Sequence, residues 1–308
     1  MATVRVATTN VQIVFDKQKN VQKLTEMTRQ AAASGAKLIL FPEAAVQGYL
    51  FNLVGPLTSD TIRYQQEHAE VIPEGETTQQ MIRLAKECDI YIIYGIIERD
   101  KKSYDALYNT AVLVGPEGFI GTYRKIHQPV DEKHVFTPGD DYPVYDTTIG
   151  RIGMQICMDK HFPEPTRELA LRGAEITCAL CAWEDFIGDV VEEKGRRLGS
   201  TYDLYDCVRA DENQIWLLSS NHVGGTFCGS GNIVDPNGLI LATCGREEEK
   251  IVYADIDVRG GILDSRAVFL QTWLRERKPE TYKLLGAGMQ EMTGLQSKEH
   301  IDIIQPAK

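Results

Sequence analysis

A chain of 308 residues with 43% hydrophobic and 25% charged side chains has ordinary globular composition, and its net charge of −11 speaks against nucleic acid or an anionic membrane as the main partner. No apolar run reaches the roughly 18 residues that cross a bilayer, and the opening stretch MATVRVATTNVQIVF lacks the basic-then-apolar pattern of a secretory signal, so a soluble, cytoplasmic protein is expected. The seven cysteines have no regular spacing, which excludes a disulfide framework and fits reduced usage.

Val4 to Val11 reads as a first strand. Asp16 to Ser34 is a helix whose apolar face carries Val21, Leu24, Met27 and Ala31, closed by Gly35. Lys37 to Phe41 is a short buried strand that stops at Pro42-Glu43. A β–α–β unit therefore ends in a carboxylate, and strand ends are where α/β sheets tend to bind ligands. Gln47 to Pro73, with aromatics and two glycines, is expected to be a loop with a short helix and a wall of any pocket. Thr77 to Glu87 is a helix and Ile90 to Ile97 a central strand. Tyr108 to Val114 and Phe119 to Tyr123 are strands flanking a Gly-Pro-Glu-Gly turn. The irregular run Arg124 to Tyr142 is long, and loops of that length are usually functional or disordered.

Arg151 to Glu164, RIGMQICMDKHFPE, reads as an apolar strand, Ile152 to Ile156, that stops at Cys157. A polar turn, Met158 to His161, follows, and Pro163 opens a helix. A cysteine at such a junction sits on a sharp bend with its sulfur at the mouth of the fold, as a nucleophile would; a buried, inert cysteine is the alternative. Glu164 to Gly173 is a helix, and Glu175 to Ala182 a strand ending at Trp183. Val190 to Asn213 is a long helix and Ile215 to Asn221 a strand. Gly229 to Asp235 and Leu239 to Thr243 flank Pro236-Asn237-Gly238, a hairpin signal. Ile251 to Asp257 is a last strand, and from Arg259 onward the chain is a polar, helical tail ending in a weakly structured segment. One α/β domain of two packed sheets with helices outside, residues 1–258, fits this pattern, with the tail 259–308 as an oligomer contact. Cys178 and Cys181 form a CxxC in an apolar strand, without a second pair or histidine at metal spacing, so no metal is expected.

Glu43, Lys125 and Cys157 each follow an apolar strand. A thiol attacks as thiolate and needs a base or a nearby cation. A partly desolvated Glu could take the thiol proton and return it to a leaving amine. A Lys could hold the thiolate and the developing oxyanion, helped by the backbone N–H of Met158. His127, His134 and His161 leave a Cys-His pair open as another reading.

These motifs together resemble the nitrilase, or carbon–nitrogen hydrolase, superfamily, over about Val4 to Asp257. The resemblance rests on FPE at Phe41 to Glu43, YRKIH at Tyr123 to His127 and CMDKHFPE at Cys157 to Glu164, with YNTAV at Tyr108 to Val112 and EKHVFTPGD at Glu132 to Asp140. The segments RADENQIWLLSSNHVG and GSGNIVDPNG are similar to the family's C-terminal half. The resemblance implies an α-β-β-α sandwich, pairing into dimers or larger assemblies, with no metal or organic cofactor. It implies Glu43 as general base and acid, Lys125 as stabiliser of the oxyanion, Cys157 as nucleophile, and Glu132 as the residue that orients the substrate or the lysine. The implied reaction passes through a thioester and releases ammonia or an amine from a small-molecule substrate.

Met158-Asp159 after the cysteine resembles the amidase and carbamoyl-amine branches, where true nitrilases commonly have Trp-Glu, so amide or N-carbamoyl hydrolysis is expected ahead of nitrile hydrolysis. Asp159 serves that pattern or simply braces the turn. Trp183 is expected as a pocket wall or as core. Glu184 and Asp185 could receive an ammonium on the substrate or simply form an exposed acidic loop, and Asn221 and His222 could line the mouth. A non-catalytic binding member of the fold is the alternative of another class; the intact catalytic trio argues against it.

Overall fold

Alternating side chains set the layers of this computed structural model, which describes residues 3–49, 58–184, 199–268, 270, 272–282 and 285–286. Five strands lead: β1 (Val4–Val11), β2 (Leu38–Leu40), β3 (Tyr91–Arg99), β4 (Leu107–Gly115) and β5 (Gly118–Arg124). Successive residues of a strand point to opposite faces. On one face Val6, Leu38, Leu40, Tyr91 and Ile93 share a core with Ile152, Met154, Ile176 and Leu218 of the opposing sheet. On the other, Ala7, Ile39, Ile92 and Tyr94 pack under helices α1 (Lys17–Ala33) and α3 (Glu76–Cys88) through Leu24, Met27, Met81 and Leu84. Helix α2 (Ser59–His68) lies between them in the chain.

The second half contributes β6 (Val144–Thr147), β7 (Gly150–Ile156), β8 (Ile176–Leu180) and β9 (Trp216–Gly224), then β10 (Phe227–Cys228), β11 (Asn232–Val234), β12 (Ile240–Thr243) and β13 (Lys250–Ile256). Helices α4 (Pro163–Leu171) and α5 (Gly199–Asp211) accompany it. Ala210 of α5 packs on Leu217 and Val234, so this sheet too is covered on its outer face. The layers are α-β-β-α, as expected. The strand order is β5-β4-β3-β2-β1-β9-β8-β7-β6 among the described residues. The halves meet where β1 runs beside β9, at Asn10 opposite Asn221 and Val11 opposite His222. Strand β1 also pairs in parallel with β2 and antiparallel with β13, Val4 facing Ile256.

Most predicted elements form within one or two residues of their expected ends. Asp16 caps α1 by accepting from the Lys19 N–H at 3.1 Å, and Gly35 takes the left-handed φ of 84° that ends the helix. The predicted hairpin is β11–β12. Strand β6 was not anticipated: it is short, half-exposed and, among the described residues, pairs only with β7. The long helix is described from Gly199 onward; its predicted first turns and Asp185 lie outside the described residues. The tail begins with α6 (Val258–Val268) and α7 (Trp273–Glu276); its predicted weakly structured end also lies outside them.

Candidate active site

Glu43 comes just past β2, on a turn that lies against β3 at Gly95. The Gly95 N–H donates to the Pro42 carbonyl at 3.1 Å, and a Cβ on Gly95 would come within 2.3 Å of the Ala44 nitrogen. Only glycine lets the turn sit this close. The turn places the Glu43 carboxylate in the interior, with no exposed surface. Its Oε1 accepts from Lys125 Nζ at 2.6 Å and Asn109 Nδ2 at 2.7 Å, and its Oε2 accepts from the Ala182 N–H at 2.9 Å. Burial pushes the carboxyl up to about 7 against the pull of the Lys125 charge, and the Glu132 charge adds to the rise.

Lys125 follows β5 and is also fully buried. Its Nζ donates to Glu43 and, at 2.7 Å, to Oε1 of Glu132. Burial works against its charge, but the two carboxylates outweigh burial and hold the ammonium above the ordinary lysine range. Glu132 sits on a 3-10 turn, Val130–His134, and accepts from the Tyr49 hydroxyl at 2.6 Å. Asn109 Nδ2 reaches Glu132 Oε2 at 3.4 Å, so it spans the two carboxylates as Lys125 does.

Cys157 ends β7 and starts a 3-10 turn, Cys157–His161. Its φ of 45° is left-handed, an unfavourable conformation for a residue with a Cβ. Asp159 braces this bend. Its Oδ2 accepts from the Ile156 N–H at 2.9 Å and the Tyr123 hydroxyl at 2.6 Å, and its Oδ1 from the His127 N–H at 3.0 Å. The Cys157 thiol is 8% exposed. A hydrogen bond with Cys181, burial and the Glu43 charge raise it, and the Lys125 charge opposes them.

The structure thus brings Glu43, Lys125 and Glu132 into direct contact and sets the charges of Glu43 and Lys125 on the Cys157 thiol. The histidines are engaged elsewhere. His127 pairs with Asp159 at 2.8 Å and stacks on Phe162 at 4.3 Å between ring centroids. His134 is exposed. His161 stacks on Trp183 at 4.3 Å and is driven down to about 4, first by burial and then by the Lys160 charge. Trp183 packs among His161, Tyr202 and Tyr205, and its backbone N–H donates to Asn221 Oδ1 at 2.8 Å. Met158 is half-buried on the turn after the nucleophile candidate.

Two readings need correction, and one burial was not anticipated. Asn221 and His222 are buttresses rather than rim residues: both are buried, and the His222 ring bonds to the Glu43 carbonyl at 2.6 Å. Glu184 is no open acidic loop residue, since it is buried and accepts from the Thr226 hydroxyl at 2.6 Å. The turn Met158–His161 is polar in sequence but not solvated. Lys160 is fully buried, paired with Asp206 at 2.6 Å, and lies 3.3 Å over the Tyr202 ring. Tyr49 and Asn109 were not singled out. The one available signal was an asparagine inside the otherwise apolar strand of β4.

A profile of the carbon–nitrogen hydrolase family matches residues 5–261. A protein named nitrilase from Pyrococcus abyssi is 33% identical over 274 residues, 87% of this chain and 95% of that one. An omega-amidase of Homo sapiens is 31% identical over 274 residues, 84% of this chain and 90% of that one. Among solved structures, a carbon–nitrogen hydrolase from Helicobacter pylori G27 superposes with a TM-score of 0.79 at 25% identity, covering 93% of this chain and 99% of that one. A Saccharomyces cerevisiae member of branch 10 of the nitrilase superfamily gives 0.75 at 26%, covering 90% and 97%.

Proposed function

Because the chain belongs to the carbon–nitrogen hydrolase family, we propose that it hydrolyses an amide or N-carbamoyl group with Cys157 as nucleophile, Glu43 as general base and acid, and Lys125 as oxyanion holder. The observation that carries this reading is the fully buried Lys125 bridging Glu43 and Glu132 at 2.6 and 2.7 Å beside the thiol. A carboxyl poised near 7 exchanges protons readily at neutral pH, which suits a group that must first take a proton and then give it back.

The Cys157 proton passes to Glu43 as sulfur attacks the carbonyl carbon. The carbonyl oxygen becomes an oxyanion, held by the Lys125 ammonium and the Met158 N–H. Glu43 then returns the proton to the leaving nitrogen, the C–N bond breaks, and a thioester remains. Water, giving its proton to Glu43, attacks the thioester; acid product departs and the thiol is restored. Glu132, fixed by Tyr49, and Asn109 keep Lys125 in place through both halves. Trp183 and Met158 bound the substrate.

The likeness to an omega-amidase and the Met158-Asp159 pair support an amide ahead of a nitrile. Nitrile hydrolysis is the second reading, favoured by the relative named nitrilase. Seven free cysteines support a reducing compartment, the cytoplasm. Exposed Leu263 and Val268 on α6 support the tail as a contact between copies, which light scattering would read as a dimer or larger.

Ammonia release from aliphatic amides, N-carbamoyl amino acids, carbamoyl amines and nitriles tests the reading, with Cys157→Ala as blank. Release from amides or carbamoyl compounds that vanishes in the blank is the expected result. Release from nitriles alone moves the second reading first. No release together with a Cys157 inert to alkylation makes this a binding protein.

A further inference from the structure

One buried thiol has no part in the reaction above, and it lies on the strand beside the nucleophile. Strands β7 and β8 run parallel with Ile156 opposite Leu180. The next residue on each is a cysteine, Cys157 and Cys181. Paired strands lie about 4.8 Å apart, so one step past the Ile156–Leu180 pair the two cysteines start near the roughly 4.4–6.8 Å between Cα atoms that a disulfide spans. Both cysteines are buried in the same core between the sheets, and each shifts the ionisation of the other. Cys181 has no exposed surface, whereas Cys157 retains a little.

We propose that Cys157 and Cys181 form a reversible disulfide when the protein meets a peroxide, so that Cys181 shields the nucleophile from irreversible oxidation. The inference takes Cys157 as the reactive thiol of the proposed reaction, but its chemistry can be read without turnover. Cys157 gives its proton to Glu43 as its sulfur attacks a peroxide oxygen: an S–O bond forms, the O–O bond breaks, and the departing hydroxide takes that proton as water. Cys157 is now a sulfenic acid, oxidised by two electrons. Cys181 then attacks the Cys157 sulfur: an S–S bond forms, the S–O bond breaks, and the departing hydroxide takes the Cys181 proton as water. A dithiol reductant reverses the change.

The surroundings favour Cys181 as the resolving partner. Burial disfavours its thiolate, but the hydrogen bond from Cys157 and the Lys160 charge outweigh burial and hold it below the ordinary thiol range. Lys160 is itself fixed by Asp206. The peptide nitrogen of Cys181 donates to the Ser220 carbonyl at 2.8 Å, so the backbone that presents this thiol is held by β9. Cys178 lies opposite Met154 and has no such neighbour.

The test treats full-length protein with hydrogen peroxide and then with dithiothreitol, and reads free thiols, intact mass and hydrolysis. The expected product has lost two of its seven thiols and two hydrogens in mass. Trypsin then yields Ile152–Lys160 joined to Gly173–Lys194, and dithiothreitol restores thiols and activity together. Cys178 shares the second peptide, so Cys178→Ala, which still gives the link, assigns it to Cys181. In Cys181→Ser the link is absent, and at excess peroxide Cys157 gains two oxygens that dithiothreitol does not remove. Wild-type protein in which Cys157 gains oxygen without any linked peptide overturns the inference, as does a link that survives Cys181→Ser. A linked peptide in a protein that hydrolyses nothing leaves the disulfide standing and removes the catalytic reading instead.

Discussion

Replacing Lys125 by methionine keeps the side chain's length and removes its charge from between two buried carboxylates. The gross attraction lost is about 6 kcal/mol for each contact, for charges 2.6 and 2.7 Å apart at an effective dielectric constant near 20. Most of that is already offset by the cost of burying the ions. Removing one partner of such a pair costs about 3–5 kcal/mol net. The loss has a sign in pH. Without Lys125, Glu43 is a buried carboxyl with no countercharge and with the Glu132 charge beside it, so its native affinity for protons exceeds that of the unfolded chain. The native variant then holds protons that the unfolded chain has released, and its stability falls as pH rises. At pH 5 much of the damage is relieved by protonation; at pH 8 it is felt in full. Urea unfolding at both pH values reads this out. With a slope of about 3 kcal/mol per M for a chain of this size, the midpoint at pH 8 drops by about 1 M. Equal midpoints for wild type and Lys125→Met at pH 8, or a larger deficit at pH 5, would refute the electrostatic account of this cluster.

Three further outcomes are expected. With Glu43 as the base, kcat/KM rises with pH through about 7 as its carboxyl ionises, and Glu43→Gln removes that limb along with about 10²–10⁴-fold of the rate. Lys160→Met leaves Asp206 buried and uncompensated and lowers stability by about 3–5 kcal/mol, whereas Lys160→Met combined with Asp206→Leu recovers much of it, as paired chemical melts will show. Asp159→Ala orphans the Ile156 N–H and the Tyr123 hydroxyl; it costs about 2–4 kcal/mol in the same melts and slows alkylation at Cys157 as the bend relaxes.

The candidate trio was legible because each member follows an apolar strand, and apolar runs are the clearest pattern a sequence carries. The same pattern exposed the layers: Val6 and Ala7, or Leu38 and Ile39, turn to opposite cores as strand periodicity requires. What stayed hidden depends on contacts between distant parts of the chain. Tyr49 reaches Glu132 across 83 positions with no local signature, and Asn109 reaches Glu43 across 66 with only its place inside β4 to mark it. The burial of Lys160 was hidden in the same way: its neighbours Asp159 and His161 make a polar turn, and Asp206, far along the chain, supplies the countercharge that lets the lysine be buried. Strand β6 escaped notice because four half-exposed residues at a sheet edge carry little periodicity. Asp159 carried two readings of equal weight until the bonds to Ile156, Tyr123 and His127 showed that it braces the turn.

Strand β1 is made early and completed late. Its edges are closed by β2 on one side and by β13 and β9 on the other, and the register that sets Val4 against Ile256 spans nearly the whole described chain. At about 5–20 residues per second of synthesis, β1 waits roughly 10–50 s before β13 leaves the ribosome. During that interval VRVATTNV, an uncharged strand but for Arg5, has only β2 to cover it. Its open edge is then available to any other nascent chain, so this protein's yield in a cell is sensitive to whatever shields that strand while the ribosome works toward residue 256.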